Sequence, residues 1–157
     1  MILLNGIISG IVATIFFDLF QTAVLFVYGA KKSNWALIGR YFIGVARMQF
    51  VQNNLINENK EKNELIIGYF VHYIIGVIFG VVYTVINFIL FDSPSYYLAL
   101  AIGLITVLFG WCIIMPFAFN MGFFASKMDD QKKILVQNLL AHYIFGTGLF
   151  FGLLIVN

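Results

Sequence analysis

Charge is scarce in this chain. Charged residues make up only 10% of its 157 positions, and nine Lys and Arg against seven Asp and Glu leave a net charge of +2. So small a net charge points to no partner by itself, and no nucleic acid is expected. The single cysteine, Cys112, lies in an apolar run. That excludes a disulfide framework, a CxxC pair and a cysteine metal site, so neither redox chemistry nor a cofactor is expected. Short segments of alternating polarity, which a transmembrane β-barrel needs, do not occur. No nucleophile motif, P-loop or metalloprotease motif is found, which weighs against an enzyme. The opening MILLNGIISG has no positive flank, and the apolar run it begins is too long for a cleaved signal and carries Asp18. It is expected to stay as the first helix.

What the chain does have is apolar bulk. Hydrophobic residues make up 62% of it, 18 of them Phe, and the mean hydropathy is +0.96. Soluble domains are far more polar. Four long apolar segments, at about 2–28, 65–91, 97–125 and 135–156, each reach the roughly 20 residues that a helix needs to cross a hydrocarbon core. The fold expected is an all-α membrane protein: a four-transmembrane-helix bundle forming one integral domain over 1–157, with an interfacial amphipathic helix in its first loop.

The few charges are sorted by side. Lys31, Lys32, Arg40, Arg47, Lys60 and Lys62 fall between the first two spans, and Lys127, Lys132 and Lys133 between the last two. The N-terminus, the Asp92-Ser93-Pro94-Ser95 turn and the C-terminus have no Lys or Arg. The positive-inside rule then places both basic loops in the cytoplasm and both termini outside.

Within the first loop, SNWALIGRYFIGVARMQFVQNNL opens on a Ser33 or Asn34 cap. It sets Arg40 and Arg47 on one helical face and Trp35, Ile38, Phe42 and Val45 on another. This pattern predicts a helix in the membrane interface within 33–55, with Trp35, Arg40 and Arg47 as anchors to the bilayer. The following NENKEKNE reads as a solvated charge run.

Both histidines sit in near-identical pentapeptides, HYIIG from His72 and HYIFG from His142. The topology puts each roughly 10 Å below the cytoplasmic face, at a rise of about 1.5 Å per residue. By the same rise Asp18 lies about 15 Å from that face, and Asn120 and Pro116 reach comparable depth from the third span. Pro116 cannot donate to the carbonyl of Cys112, so a kink is expected there. Helical spacing aligns Gly10, Thr14, Asp18 and Thr22 on the first span. It also aligns His72, Gly76, Gly80, Tyr83 and Asn87 on the second, and Asn138, His142 and Gly146 on the last. Such faces are expected to point inward, with Gly6 and Gly10, Gly76 and Gly80, and Gly148 and Gly152 allowing close helix contact.

An acid inside a membrane costs about 2.5 to 3.5 kcal/mol on insertion scales and implies an interior partner or a hydrated cavity. Asp18, His72, Asn120 and His142 therefore form the candidate binding or proton-linked cluster. Two imidazoles, a carboxylate and an amide would also suit a divalent metal, the weaker reading because no HxxxH spacing supports it. Against both stands a plain packing role, in which the glycine four residues after each histidine makes room for the ring. The HYI-x-G match also raises a duplication of two helices each, related by an axis along the membrane normal.

NWALIGRYF, GIVATIFFDLF, LIIGYFVHYIIGVIFG and LLAHYIFGTGLFFG together resemble the small bacterial membrane proteins of domain-of-unknown-function family 2938, in order and over nearly the whole chain. The resemblance implies a four-helix protein of the bacterial inner membrane and no particular activity. Similar proteins carry a Gln-Pro and Gly-rich stretch in the third helix where this chain reads MPFAFNMG, so a role for a Gln before Pro116 does not carry over.

Three readings of function remain. The first is transport or binding of a proton or small solute at the polar cluster, with a second copy of the chain completing the path. The second is a structural or accessory subunit that binds another membrane protein. The third is an enzyme acting on a lipidic substrate, with Asp18 and a histidine as acid and base and Arg40 as a phosphate anchor.

Overall fold

The computed structural model describes residues 1–29, 33–52 and 55–157. Lys31 and Lys32, counted above in the first basic loop, and two positions of the amphipathic segment, Asn53 and Asn54, lie outside the described residues. Helix α1 spans Ile2–Tyr28, α2 Trp35–Ala46, α3 Glu64–Leu90, α4 Tyr96–Phe109 and α5 Gln131–Val156. The backbone of α4 continues as a wide π-helix over Gly110–Ala118, and a short 3-10 turn follows at Phe123–Ala125. No strand occurs among the described residues. Four helices, α1, α3, α4 with its extension, and α5, are long and apolar enough to cross a membrane.

Two boundaries differ from the sequence expectation. The third span ends at Ala118 rather than 125. Pro116 supplies no N–H, and the ladder widens to Phe119 N–H donating to the Ile114 carbonyl (3.2 Å) and Met121 to Met115 (2.9 Å). Asn120, Phe124 and Ala125 then take left-handed φ values of 52°, 53° and 54°, which a continuing right-handed helix cannot contain. The helix in the first loop likewise stops at Ala46, and Met48 follows at φ 65°. Asn34 provides its cap, accepting from the Leu37 N–H at 3.1 Å. Asn34→Ala is expected to lower stability by about 1 kcal/mol, and thermal unfolding in detergent measures it.

The chain divides into two compact units. The first comprises Met1–Lys32, Tyr73–Thr106 and Leu139–Asn157, the second Ser33–His72 and Val107–Asn138. In the first unit small residues set the helix spacing. A side chain at Gly10 would strike the backbone of Gly76 and Val77, and one at Gly80 the backbone of Gly6 and Gly10, so α1 and α3 touch main chain to main chain. Gly148 and Gly152 of α5 do the same against Ala13 and Ser9, and Gly103 of α4 against Gly146. Ser9 adds a buried hydrogen bond from its hydroxyl to the Leu149 carbonyl (2.8 Å). Large apolar side chains such as Leu19, Ile78, Ile105 and Leu154 are exposed, while Ser9, Thr14, Gln21 and Thr84 are buried. That distribution inverts the soluble pattern and suits a bundle solvated by lipid.

The polar end of the α3 stripe folds a turn. Asn87 accepts from the Ser95 N–H (2.8 Å) and donates to the Ser93 carbonyl (3.2 Å), and the Tyr83 hydroxyl donates to the Ser95 carbonyl (3.2 Å). In the second unit Leu37, Tyr41, Leu55 and Ala118 form a core, with Phe42, Val45, Ile114, Phe117 and Phe119 packed against it. Gly39 abuts the Glu64 carbonyl and Gly68 the Trp35 carbonyl. Helix α2 is thereby seated directly on the start of α3.

Candidate functional site

Asp18 lies on α1 beside the buried Phe17, ten residues before the helix ends at Tyr28, or about 15 Å along the axis. Its Oδ2 accepts a hydrogen bond from the Tyr73 hydroxyl of α3 (3.3 Å). The same strip of α1 carries the buried Thr14 and Gln21, and the Thr22 hydroxyl donates to the Asp18 carbonyl (2.7 Å). On α5, His142 Nδ1 lies 2.7 Å from the Thr106 hydroxyl of α4. Thr106 is also 2.6 Å from the Gly103 carbonyl, to which it donates. A hydroxyl has one proton, so with that proton on Gly103 the histidine donates from Nδ1, and in a neutral ring Nε2 is then the acceptor nitrogen. Phe17 meets the His142 ring edge-on at 5.3 Å. All four spanning helices thus contribute polar groups to the first unit's interior, with Phe17 linking the Asp18–Tyr73 pair to the Thr106–His142 pair.

The other two predicted members belong to the second unit. His72 stacks on the Trp35 indole, centroids 3.9 Å apart at 22°, and Tyr69 flanks the same indole. Asn120 is exposed and lies past the end of the third span, where its side-chain amide oxygen accepts from the Lys127 ammonium (2.7 Å). The expectation that it projects from that helix is corrected by the unwinding after Pro116. Among the described residues no three His, Cys, Asp or Glu side chains gather as a metal ion would require.

The three residues expected to anchor α2 have different surroundings. Arg40 is buried, 8% exposed. Its Nε and Nη2 grip the Glu64 carboxylate at 2.8 and 3.0 Å, while Nη1 donates to the carbonyls of Leu55 (2.7 Å) and Glu58 (3.0 Å). Four of its five donors are engaged, which leaves little for a phosphate. The hydrogen-bonded Glu64 holds this guanidinium more firmly protonated than usual, against the burial that opposes charge. Glu64 also accepts from the Glu61 N–H (2.9 Å). Arg47 is exposed and pairs with Glu61, holding that carboxyl below its ordinary range. The stabilisation is present above the ordinary glutamate range and lost as pH falls through the lowered value. Trp35 is partly covered by His72 and Tyr69.

A family model described as "Protein of unknown function (DUF2938)" matches residues 7–156. The chain belongs to this family. Among curated proteins and solved structures no match is found. In this DUF2938 protein the two HYxxG elements share one feature, the glycine. Gly76 and Gly146 both lie at helix crossings, against Thr14 and Gly10 in one case and Ala99 and Leu100 in the other. The histidines and tyrosines differ: Tyr73 serves Asp18, whereas the Tyr143 hydroxyl meets that of Tyr96 (3.1 Å).

Sequence reasoning on the DUF2938 chain missed Tyr73, Thr106 and Glu64. Tyr73 carries a usable signal, because it sits one position from His72 and turns to a different face of α3. Thr106 carries none: a threonine in an apolar helix ordinarily bonds its own backbone.

Proposed function

We propose that this DUF2938 protein binds a proton or small polar solute within the bacterial inner membrane and moves it across, with the basic loops in the cytoplasm. The site is built on Asp18, Tyr73, Thr106 and His142. One observation carries the reading: a carboxylate about 15 Å inside a spanning helix accepts from a phenol of the facing span. An acid at that depth is costly, and where it persists it marks ion and proton pathways. His142 adds an imidazole to the same unit, and its two ring nitrogens can between them both accept and donate a proton. The arrangement supports proton-linked chemistry more than lipid hydrolysis, because Arg40, the residue that would have held a phosphate, is committed to Glu64.

Reconstitution with a pH-sensitive dye inside vesicles tests this. A pH gradient is expected to drive flux that falls at least about tenfold in Asp18→Asn, equivalent to about 1.4 kcal/mol on the barrier. Tyr73→Phe is expected to fall less, and unfolding in detergent should be unchanged in both. Equal flux in wild type and Asp18→Asn would defeat the proposal. If wild type moves neither protons nor any solute in a panel, while co-purifying stoichiometrically with another membrane protein, the accessory-subunit reading takes its place.

A further inference from the structure

A second polar site lies at the other end of the first unit, apart from Asp18 and His142. There a cavity of about 350 Å³ is lined by Asn5 of α1, Thr84, Asn87 and Phe88 of α3, and Phe91 and Asp92 beyond it, among other residues. Thr84 is 4% exposed, and its hydroxyl has no hydrogen-bond partner in the protein. A buried hydroxyl left unpaired is costly and rare, so a partner from outside the chain is the natural explanation. The lining mixes aromatic rings with hydrogen-bonding groups, the usual make-up of a small-molecule site.

The charges decide what kind of molecule fits. Asp92 is the one side chain in the lining that carries a charge; Met1 and Asn157 also line it, and the formal charges of their α-amino and α-carboxyl groups cancel. The sequence has no Lys or Arg in residues 1–30, 63–126 or 134–157, so no basic side chain from those stretches competes for it. A carboxylate with two phenylalanine faces and a hydroxyl suits an alkylammonium group, which gains from the ring quadrupoles as well as from the charge. We propose that this cavity binds a primary ammonium group, with Asp92 as counter-ion, Thr84 as hydrogen-bond acceptor and Phe88 and Phe91 as flanking faces. Two sources present that chemistry, a free small amine and the headgroup of an ethanolamine phospholipid.

Saturable binding of labelled ethanolamine to the full-length protein in detergent is the test, with ethylene glycol as the uncharged competitor. Ethanolamine is expected to bind. Asp92→Asn should weaken it about tenfold, Thr84→Val several-fold, and Thr84→Ser should restore it, since each tenfold step in affinity reflects one lost charge-assisted contact. Competition by vesicles of phosphatidylethanolamine, and not by vesicles of phosphatidylglycerol, identifies the lipid headgroup as the source; competition by neither identifies the free amine. Displacement by ethylene glycol as effective as by ethanolamine, or unchanged binding in Asp92→Asn, overturns the proposal. So does a Thr84→Val protein that melts higher and binds as well as wild type, which would make Thr84 a packing residue only. Neither result bears on flux through Asp18, so the two sites stand or fall separately.

Discussion

Arg40→Ala is expected to destabilise the protein by about 3 kcal/mol, because it strands the Glu64 carboxylate and frees two carbonyls in one step. The guanidinium joins three separate pieces of chain: α2, which carries it, the loop carbonyls of Leu55 and Glu58, and the first residue of α3. Losing it therefore unties the second unit rather than trimming its surface. Arg40→Lys should recover only part of the loss, since an ammonium cannot repeat a bidentate grip and reach both carbonyls from one planar group. A double change, Arg40→Met with Glu64→Leu, should be markedly more stable than Arg40→Ala, because it removes both charges and leaves no buried ion behind. Chemical unfolding of the wild type, Arg40→Met, Glu64→Leu and the double change in detergent gives the coupling energy between the two positions. If the double change is as unstable as the sum of its parts, the pair is not the clasp described here.

That clasp also shows where sequence reading stops. Hydropathy and length place four spans, because a hydrocarbon core demands about 20 apolar residues whatever the tertiary contacts. Glycine spacing locates the crossings for a similar reason: Gly10, Gly76 and Gly80 matter through backbone distance alone, and spacing on a helix determines which backbones meet. Arg40 is another matter. A periodic pattern in WALIGRYFIGVA separates a polar face from an apolar one, yet it cannot tell a polar face turned to lipid headgroups from one turned to Glu64, 24 residues on. Asn120 fails for a different reason. Its depth follows only if the third span stays regular, and Pro116 with the left-handed residues after it ends that regularity. The candidate site lies between these cases. Asp18 and His142 were legible as costly groups in apolar helices, whereas their partners Tyr73 and Thr106 depend on helix rotation, which no single-helix pattern specifies.

Gly10→Leu is expected to cost at least about 3 kcal/mol, at the upper end of what overpacking a core usually costs. The reason is what a side chain would meet there: the carbonyl of Gly76 and the Cα of Val77, both main chain. A clash with a flexible side chain is relieved by a rotamer change, but a clash with backbone is relieved only by moving α1 away from α3. The crossing is glycine on both sides, so a side chain at Gly80 would in turn meet the backbone of Gly10 and Gly6. Gly110→Ala is the control, since nothing lies within 4 Å of a side chain there, and exchanging glycine for alanine should be neutral or stabilise by up to about 1 kcal/mol. The consequence reaches the candidate site. Gly10 and Asp18 are two turns apart on α1, and Gly76 and Tyr73 one turn apart on α3, so separating the helices at the glycines stretches a hydrogen bond that is already 3.3 Å long. A Gly10→Ala protein, less perturbed and still folded in detergent, should therefore lose proton flux in proportion to the loss in Asp18→Asn before it loses structure. Flux that survives in Gly10→Ala until the bundle unfolds would show that contact between α1 and α3 holds the fold together and leaves transport to other residues.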